Sequence, residues 1–154
     1  MSKVTKQYAV DLTRLDTAQY RATNSAGASI EFGSGEGLLS PVELLLAAVA
    51  GCSAVDVDVV TSRRAEPESF DVHVEGDRVN EDGASRLSEV RVGFDLSFTD
   101  TPEGNQARKL VDNLIRISHE KDCTVSRTVE NATRVKFSLS LIHISEPTRQ
   151  AEIS

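Results

Sequence analysis

Apolar and polar side chains alternate with period two along two stretches of the chain, 69–79 and 87–98. In the first, Phe70, Val72 and Val74 alternate with Asp71, His73 and Glu75. In the second, Val90, Val92, Phe94, Leu96 and Phe98 alternate with Glu89, Arg91, Gly93, Asp95 and Ser97. That period gives each strand one buried and one wet face. Asp82-Gly83, inside "NEDGAS", is a tight-turn pair, so the two strands are expected to form an antiparallel hairpin. Shorter strands are expected over 17–23 and 28–32, around the turn-forming "NSAG", and a last strand over 133–138.

The helical segments carry a different pattern. In "SPVELLLAAVAGCSAVDVDVV", residues 40–60, Ser40 is a good N-cap, Pro41 suits the first turn and Glu43 completes a capping box. Leu44, Leu45, Leu46, Ala47, Ala48, Val49 and Ala50 leave no polar face, the mark of a helix covered on every side. Polar character returns at Asp56 and Asp58, and the helix is expected to end near Arg63-Arg64, ahead of Pro67. A second helix starts at Thr101-Pro102-Glu103 and carries one apolar stripe of Ala107, Leu110, Val111, Leu114, Ile115 and Ile117, running to about Asp122. Cys123 follows, then a short helical turn in "TVSRTVENA". The Gly-rich "GSGEG" before the first helix lacks a following Lys-Ser/Thr pair and is expected to be a connector. The order of elements predicts an α+β fold, an antiparallel sheet wrapped around a central helix.

With 154 residues the chain suffices for one domain with a core. A hydrophobic share of 39% and a charged share of 27% place it among globular chains. A net charge of −7 without a basic block argues against nucleic acid and anionic membrane as partners. No uninterrupted run of about 18 apolar residues is present, and "MSKVTKQYAV" has no apolar secretory core, so neither a membrane span nor export is expected. Two cysteines in such a chain suggest a reducing compartment, and a cytoplasmic location is expected. The last stretch, "LSLIHISEPTRQAEIS", resembles a translated sequencing-library adapter. The domain is therefore expected to span 1–138, with 139–154 a non-natural tail, and His143 is assigned no role.

Candidate chemistry is sparse. His-x-x-x-His, Cys-x-x-Cys and Gly-x-Ser-x-Gly are all absent from the sequence. His119, Cys123 and Cys52 lack an evident fourth ligand, so no metal is expected. Each cysteine can be a small buried hydrophobe. Two features suggest more: Gly51 removes a side chain beside Cys52, allowing another segment or a substrate to approach, and Cys123 lies just past a helix end. Asp56, one turn after Cys52, would raise that thiol's pKa. It is expected to be solvated or paired with an arginine.

"SPVELLLAAVAGCSAVDV" followed by "HEKDCTVSRTVENATRV" resembles the OsmC/Ohr family of osmotically inducible and organic-hydroperoxide-resistance proteins, in particular its YhfA-like branch. The resemblance covers about 5–138. It implies an α+β fold built as an intertwined homodimer with the long helices central, and thiol-dependent peroxidase activity on organic hydroperoxides. By position it makes Cys52 the peroxidatic and Cys123 the resolving cysteine, their disulfide being reduced by an external dithiol of lipoyl or other type. No cofactor is implied. The best-characterised branch places Glu directly after the Pro and activates its thiol with an N-terminal Arg. Here Val42 follows Pro41 and Glu43 comes one later, with its capping box as a sufficient structural role. Glu43 and Arg21 are carried as candidate site residues, with Arg14 the other candidate for the activating cation. The alternative is a non-catalytic dimer of the same fold that binds a small hydrophobic or thiol-reactive ligand.

Overall fold

The computed structural model describes residues 2–141. Its elements are β1 (Val10–Asp16), β2 (Gln19–Asn24), β3 (Ser29–Gly33), α1 (Pro41–Thr61), β4 (Ser69–Glu81), β5 (Ala84–Ser97), α2 (Pro102–Ile117), a π-turn (Ser118–Asp122) and α3 (Thr124–Glu130). The strands form two antiparallel sheets, β1-β2-β3 and β4-β5. The α+β class follows, with the expected single sheet divided in two.

The long hairpin forms as its alternation demands. Val72 faces Phe94 and Val74 faces Val92, and Asp82 (φ 51°) and Gly83 (φ 85°) turn the chain between the strands. Two adjacent positive φ values are what a tight hairpin turn requires, and Asp-Gly supplies them cheaply. The inner face of this hairpin lies on α1: at Gly76 a Cβ would come 3.3 Å from Leu46 Cδ2.

α1 starts where the sequence places it. Ser40 Oγ accepts the Glu43 amide at 3.2 Å, and Glu43 Oε1 accepts the Ser40 amide at 2.8 Å. This reciprocal cap contributes about 1 kcal/mol. The helix buries Val49, Ser53, Val57 and Thr61, a stripe of spacing four, together with Ala50. Against it pack β4, α2, the π-turn and α3. An 18-residue window of the 21-residue α1 has a mean hydropathy of 1.8, a value that the core helix of a globular protein also reaches.

Three further expectations are revised. β1 was not anticipated, because Val10, Leu12 and Leu15 are spaced by polar residues too weakly to stand out, and all of β1 is exposed. The second helix is α-helical only to Ile117, and its last turn widens into the π-turn. The strand expected over 133–138 does not form: residues 132–141 have no regular structure, and Val135, Phe137, Leu139 and Leu141 are exposed. Their alternation persists, but no strand edge lies alongside to pair with it. Of the expected tail, 142–154, including His143, lies outside the described residues.

α2 begins at an unusually close crossing. Thr101 Oγ1 caps the Gly104 amide at 3.0 Å, and a Cβ on Gly104 would stand 2.0 Å from the Thr99 carbonyl oxygen. Gly104→Ala is therefore expected to destabilise the fold by about 2–3 kcal/mol, because backbone rather than a flexible side chain must yield. A thermal melt should show a fall of roughly 8 °C. An unchanged melting temperature would contradict this geometry.

Candidate functional site

Cys52 comes from the middle of α1, half-buried, beside the stripe that faces the second half of the chain. Cys123 ends the π-turn and is the N-cap of α3, with no exposed surface. Ser118 reaches Ser53, the neighbour of Cys52, and accepts the Cys123 amide, so the fold brings into one neighbourhood the two cysteines that the sequence separates.

Their surroundings differ in kind. The Ser126 amide donates to Cys123 Sγ at 3.3 Å, and the Ser126 hydroxyl lies 3.2 Å from the same sulfur. Burial opposes charge on Cys123, but the Ser126 hydroxyl and amide outweigh it. With help from Cys52 and the Ser53 hydroxyl they hold the thiol below its ordinary value. Hydrogen bonds donated to sulfur stabilise the thiolate. For Cys52 the balance is reversed. Burial pushes its thiol up, the Val125 backbone amide offsets this in part, and the Cys123 thiol and the Asp56 carboxylate add to the rise.

A polar cluster lies behind the thiols. Ser118 Oγ, fully buried at the start of the π-turn, is 2.6 Å from Asp56 Oδ2 and 3.3 Å from Ser53 Oγ. The Ser118 carbonyl accepts the Cys123 amide at 2.7 Å. Asp56 is thus neither simply solvated nor paired with an arginine: a serine across the α1–α2 contact is its partner. Ser53, Ser118 and Ser126 were not singled out from sequence. Their signals were faint, a lone serine in an apolar helical stripe and a serine three residues past a cysteine that caps a helix.

The remaining candidates lie elsewhere. Arg21 Nη2 pairs with Glu31 Oε2 at 2.9 Å across β2 and β3. Arg14 reaches the Thr17 hydroxyl at 3.2 Å. Neither arginine is brought to Cys52 within this single chain. Glu43 is held in its cap, where the Ser40 amide and hydroxyl lower its carboxyl pKa. His119 Nε2 lies 2.9 Å from Glu130 Oε1, tying the π-turn to α3. A cavity of about 850 Å³ is lined by Val42, Leu45 and Val49 of α1 and by Leu87, Val90 and Val92 of β5, with His119, Glu130 and the Cys123 partner Ser126 also at its wall.

Comparison with known proteins agrees with this architecture. Residues 33–138 match the family described as OsmC-like protein. Protein YhfA of Escherichia coli K12 is 26% identical over 110 residues, which is 71% of this chain and 78% of YhfA. A crystal structure of an Aquifex aeolicus protein superposes with a TM-score of 0.65 at 23% identity, covering 82% of this chain and 89% of that one. An organic hydroperoxide resistance protein from Elizabethkingia anophelis gives a TM-score of 0.55 at 16% identity, covering 84% and 93%.

Proposed function

The chain belongs to the OsmC-like protein family, and from that premise we propose that it is a thiol-dependent peroxidase that reduces organic hydroperoxides as a homodimer. The observation that carries this reading is the juxtaposition of Cys52 and Cys123, delivered by different elements to one place. A structural relative named for organic hydroperoxide resistance supports the choice of substrate.

The chemistry runs in three steps. The Cys52 thiolate attacks the O–O bond of the hydroperoxide. An S–O bond forms, the O–O bond breaks, and the departing alkoxide takes a proton to leave as the alcohol. Cys123 then attacks the sulfur of the Cys52 sulfenic acid, an S–S bond forms, and hydroxide leaves with a proton as water. An external dithiol reduces the disulfide by exchange. The environments suit the two roles unequally. The Ser126 amide, donating to Cys123 Sγ, and the Ser126 hydroxyl beside it hold the Cys123 thiol below its ordinary pKa, which serves the second step. Cys52, the more accessible sulfur, needs a cation to serve the first.

A second copy of the chain is the proposed source of that cation and of the missing core. Tyr20 and Phe32 meet at 6.0 Å with tilted rings within the β1-β2-β3 sheet, yet β1 is exposed along its length and the sheet makes little contact with α1. Val42, Leu45, Val55 and Val59 stand exposed on α1. An intertwined partner would cover both and could carry Arg21 or Arg14 to the thiol of the other chain. A reducing compartment such as the cytoplasm fits a cycle that must be reset by a dithiol.

Stopped-flow mixing of reduced protein with cumene hydroperoxide tests the proposal. Stoichiometric thiol loss is expected, with a rate rising about tenfold per pH unit up to the raised Cys52 pKa, because only the thiolate attacks. Absence of thiol loss at any pH up to 10 would sink the peroxidase reading. The large apolar cavity would then favour the alternative, a non-catalytic dimer that binds a small hydrophobic ligand.

A further inference from the structure

Asp56 is placed awkwardly for a peroxidase, since a carboxylate one helical turn from Cys52 opposes the thiolate that must attack. Its position calls for a compensating role, and the geometry points to one. We infer that Asp56 is a positioning residue for disulfide formation, which clamps the π-turn to α1 through Ser118 and so holds Cys123 against Cys52. This rests on the reading of the two cysteines as a redox pair.

Three observations carry the inference. Ser118 Oγ and Asp56 Oδ2 are 2.6 Å apart, the length of a strong bond from a hydroxyl to a carboxylate. Ser118 is 1% exposed, so its hydroxyl has no water to turn to if Asp56 is removed. The same residue holds Cys123 from the other side, its carbonyl accepting the Cys123 amide at 2.7 Å. One serine therefore links the helix that carries the first thiol to the backbone of the second. Ser53 Oγ, 3.3 Å from Ser118 Oγ, adds a second tie on α1. The π-turn has the wider hydrogen-bonding pattern often found at functional sites. An ordinary helical turn would rotate each later residue to a different angle, so holding the widened turn on α1 decides where Cys123 arrives.

The test uses equilibrium with glutathione, with no hydroperoxide present. One oxidised glutathione and the protein dithiol give the protein disulfide and two reduced glutathiones, so electrons and protons balance. Asp56→Ala and Ser118→Ala are each expected to lower the formation constant of the Cys52–Cys123 disulfide about tenfold, a rise in potential of about 30 mV. Asp56→Asn, whose amide oxygen can still accept from Ser118, should stay within about threefold of the parent. The double alanine variant should be no worse than either single one, because both remove the same link. A general loss of packing would not be rescued by asparagine, and circular dichroism checks that each variant is folded.

Alanine variants with the parent constant would overturn the clamp and leave the peroxidase reading intact. An asparagine variant as impaired as alanine would also overturn it, because charge rather than the hydrogen bond would then be responsible. A parent protein that forms the disulfide but ignores hydroperoxide would sink the peroxidase reading and leave the clamp standing. A parent that forms no disulfide would end both.

Discussion

Replacing Cys52 with serine is expected to abolish hydroperoxide consumption, by about a thousandfold or more, whereas Cys123→Ser should consume one equivalent and stop. The asymmetry follows from what each sulfur can reach. Cys52 is half-buried on a rigid helix beside Gly51, where an added Cβ would meet no atom within 4 Å. A small substrate can therefore approach it. Cys123 is fully buried under Ser126 and the π-turn, so it meets the oxidised sulfur of Cys52 and not the hydroperoxide itself. A serine hydroxyl at position 52 has far too high a pKa to ionise there and would not attack the O–O bond. In Cys123→Ser the sulfenic acid has no partner and should persist, open to trapping by dimedone with the corresponding mass increase. Turnover by Cys52→Ser, or continued cycling by Cys123→Ser at the parent rate, would each remove one of the two assigned roles.

A single glutamate at position 45 is expected to dissociate the proposed dimer and lower its melting temperature by roughly 10 °C or more. Leu45 is 40% exposed within one chain and lines the large apolar cavity beside Val42 and Val49. The buried apolar core of the described chain is short: Phe32, Val49, Ala50, Val57, Phe98, Ala107 and Cys123. A domain of this length ordinarily buries a much larger share of its surface. The deficit lies where a second copy would cover it, on α1, on β1 and along 132–138, where Val135 and Phe137 alternate without a partner strand. Obligate dimers of this kind often have no stable folded monomer, so dissociation and unfolding should coincide and depend on protein concentration. Sedimentation of the parent as a monomer at micromolar concentration would refute the dimer. A Leu45→Glu variant that stays dimeric would show that the cavity holds something other than the partner chain.

Much of this could be read along the chain. The hairpin of β4 and β5 was legible because apolar and polar residues alternate from Phe70 to Glu75 and from Glu89 to Phe98, with an Asp-Gly pair between the strands. The start of α1 was legible because capping is local: Ser40, Pro41 and Glu43 satisfy one another within a single turn. The cysteine pair was legible through the resemblance of its two flanking motifs to a family, and not through spacing. β1 was missed because an exposed strand carries no strong alternation, and the strand expected over 133–138 was misplaced because pairing needs a second edge, which no local pattern supplies.

By itself the sequence determined the α+β class, the helix caps and the long hairpin, since each depends on interactions within a few residues or on a periodic pattern. Only the tertiary structure decided how the two thiols are treated. The Cys123 thiol is held below its ordinary pKa because Ser126 turns back onto it, and that of Cys52 is pushed up because burial, Cys123 and Asp56 converge on it. It also placed Arg21 with Glu31, away from the thiols of its own chain, and gave Asp56 the hydroxyl of Ser118 as partner. Hydrogen bonds and charges act through space over a few ångströms, and residues as far apart in the chain as Asp56 and Ser118 come within that range only when α1 and α2 pack.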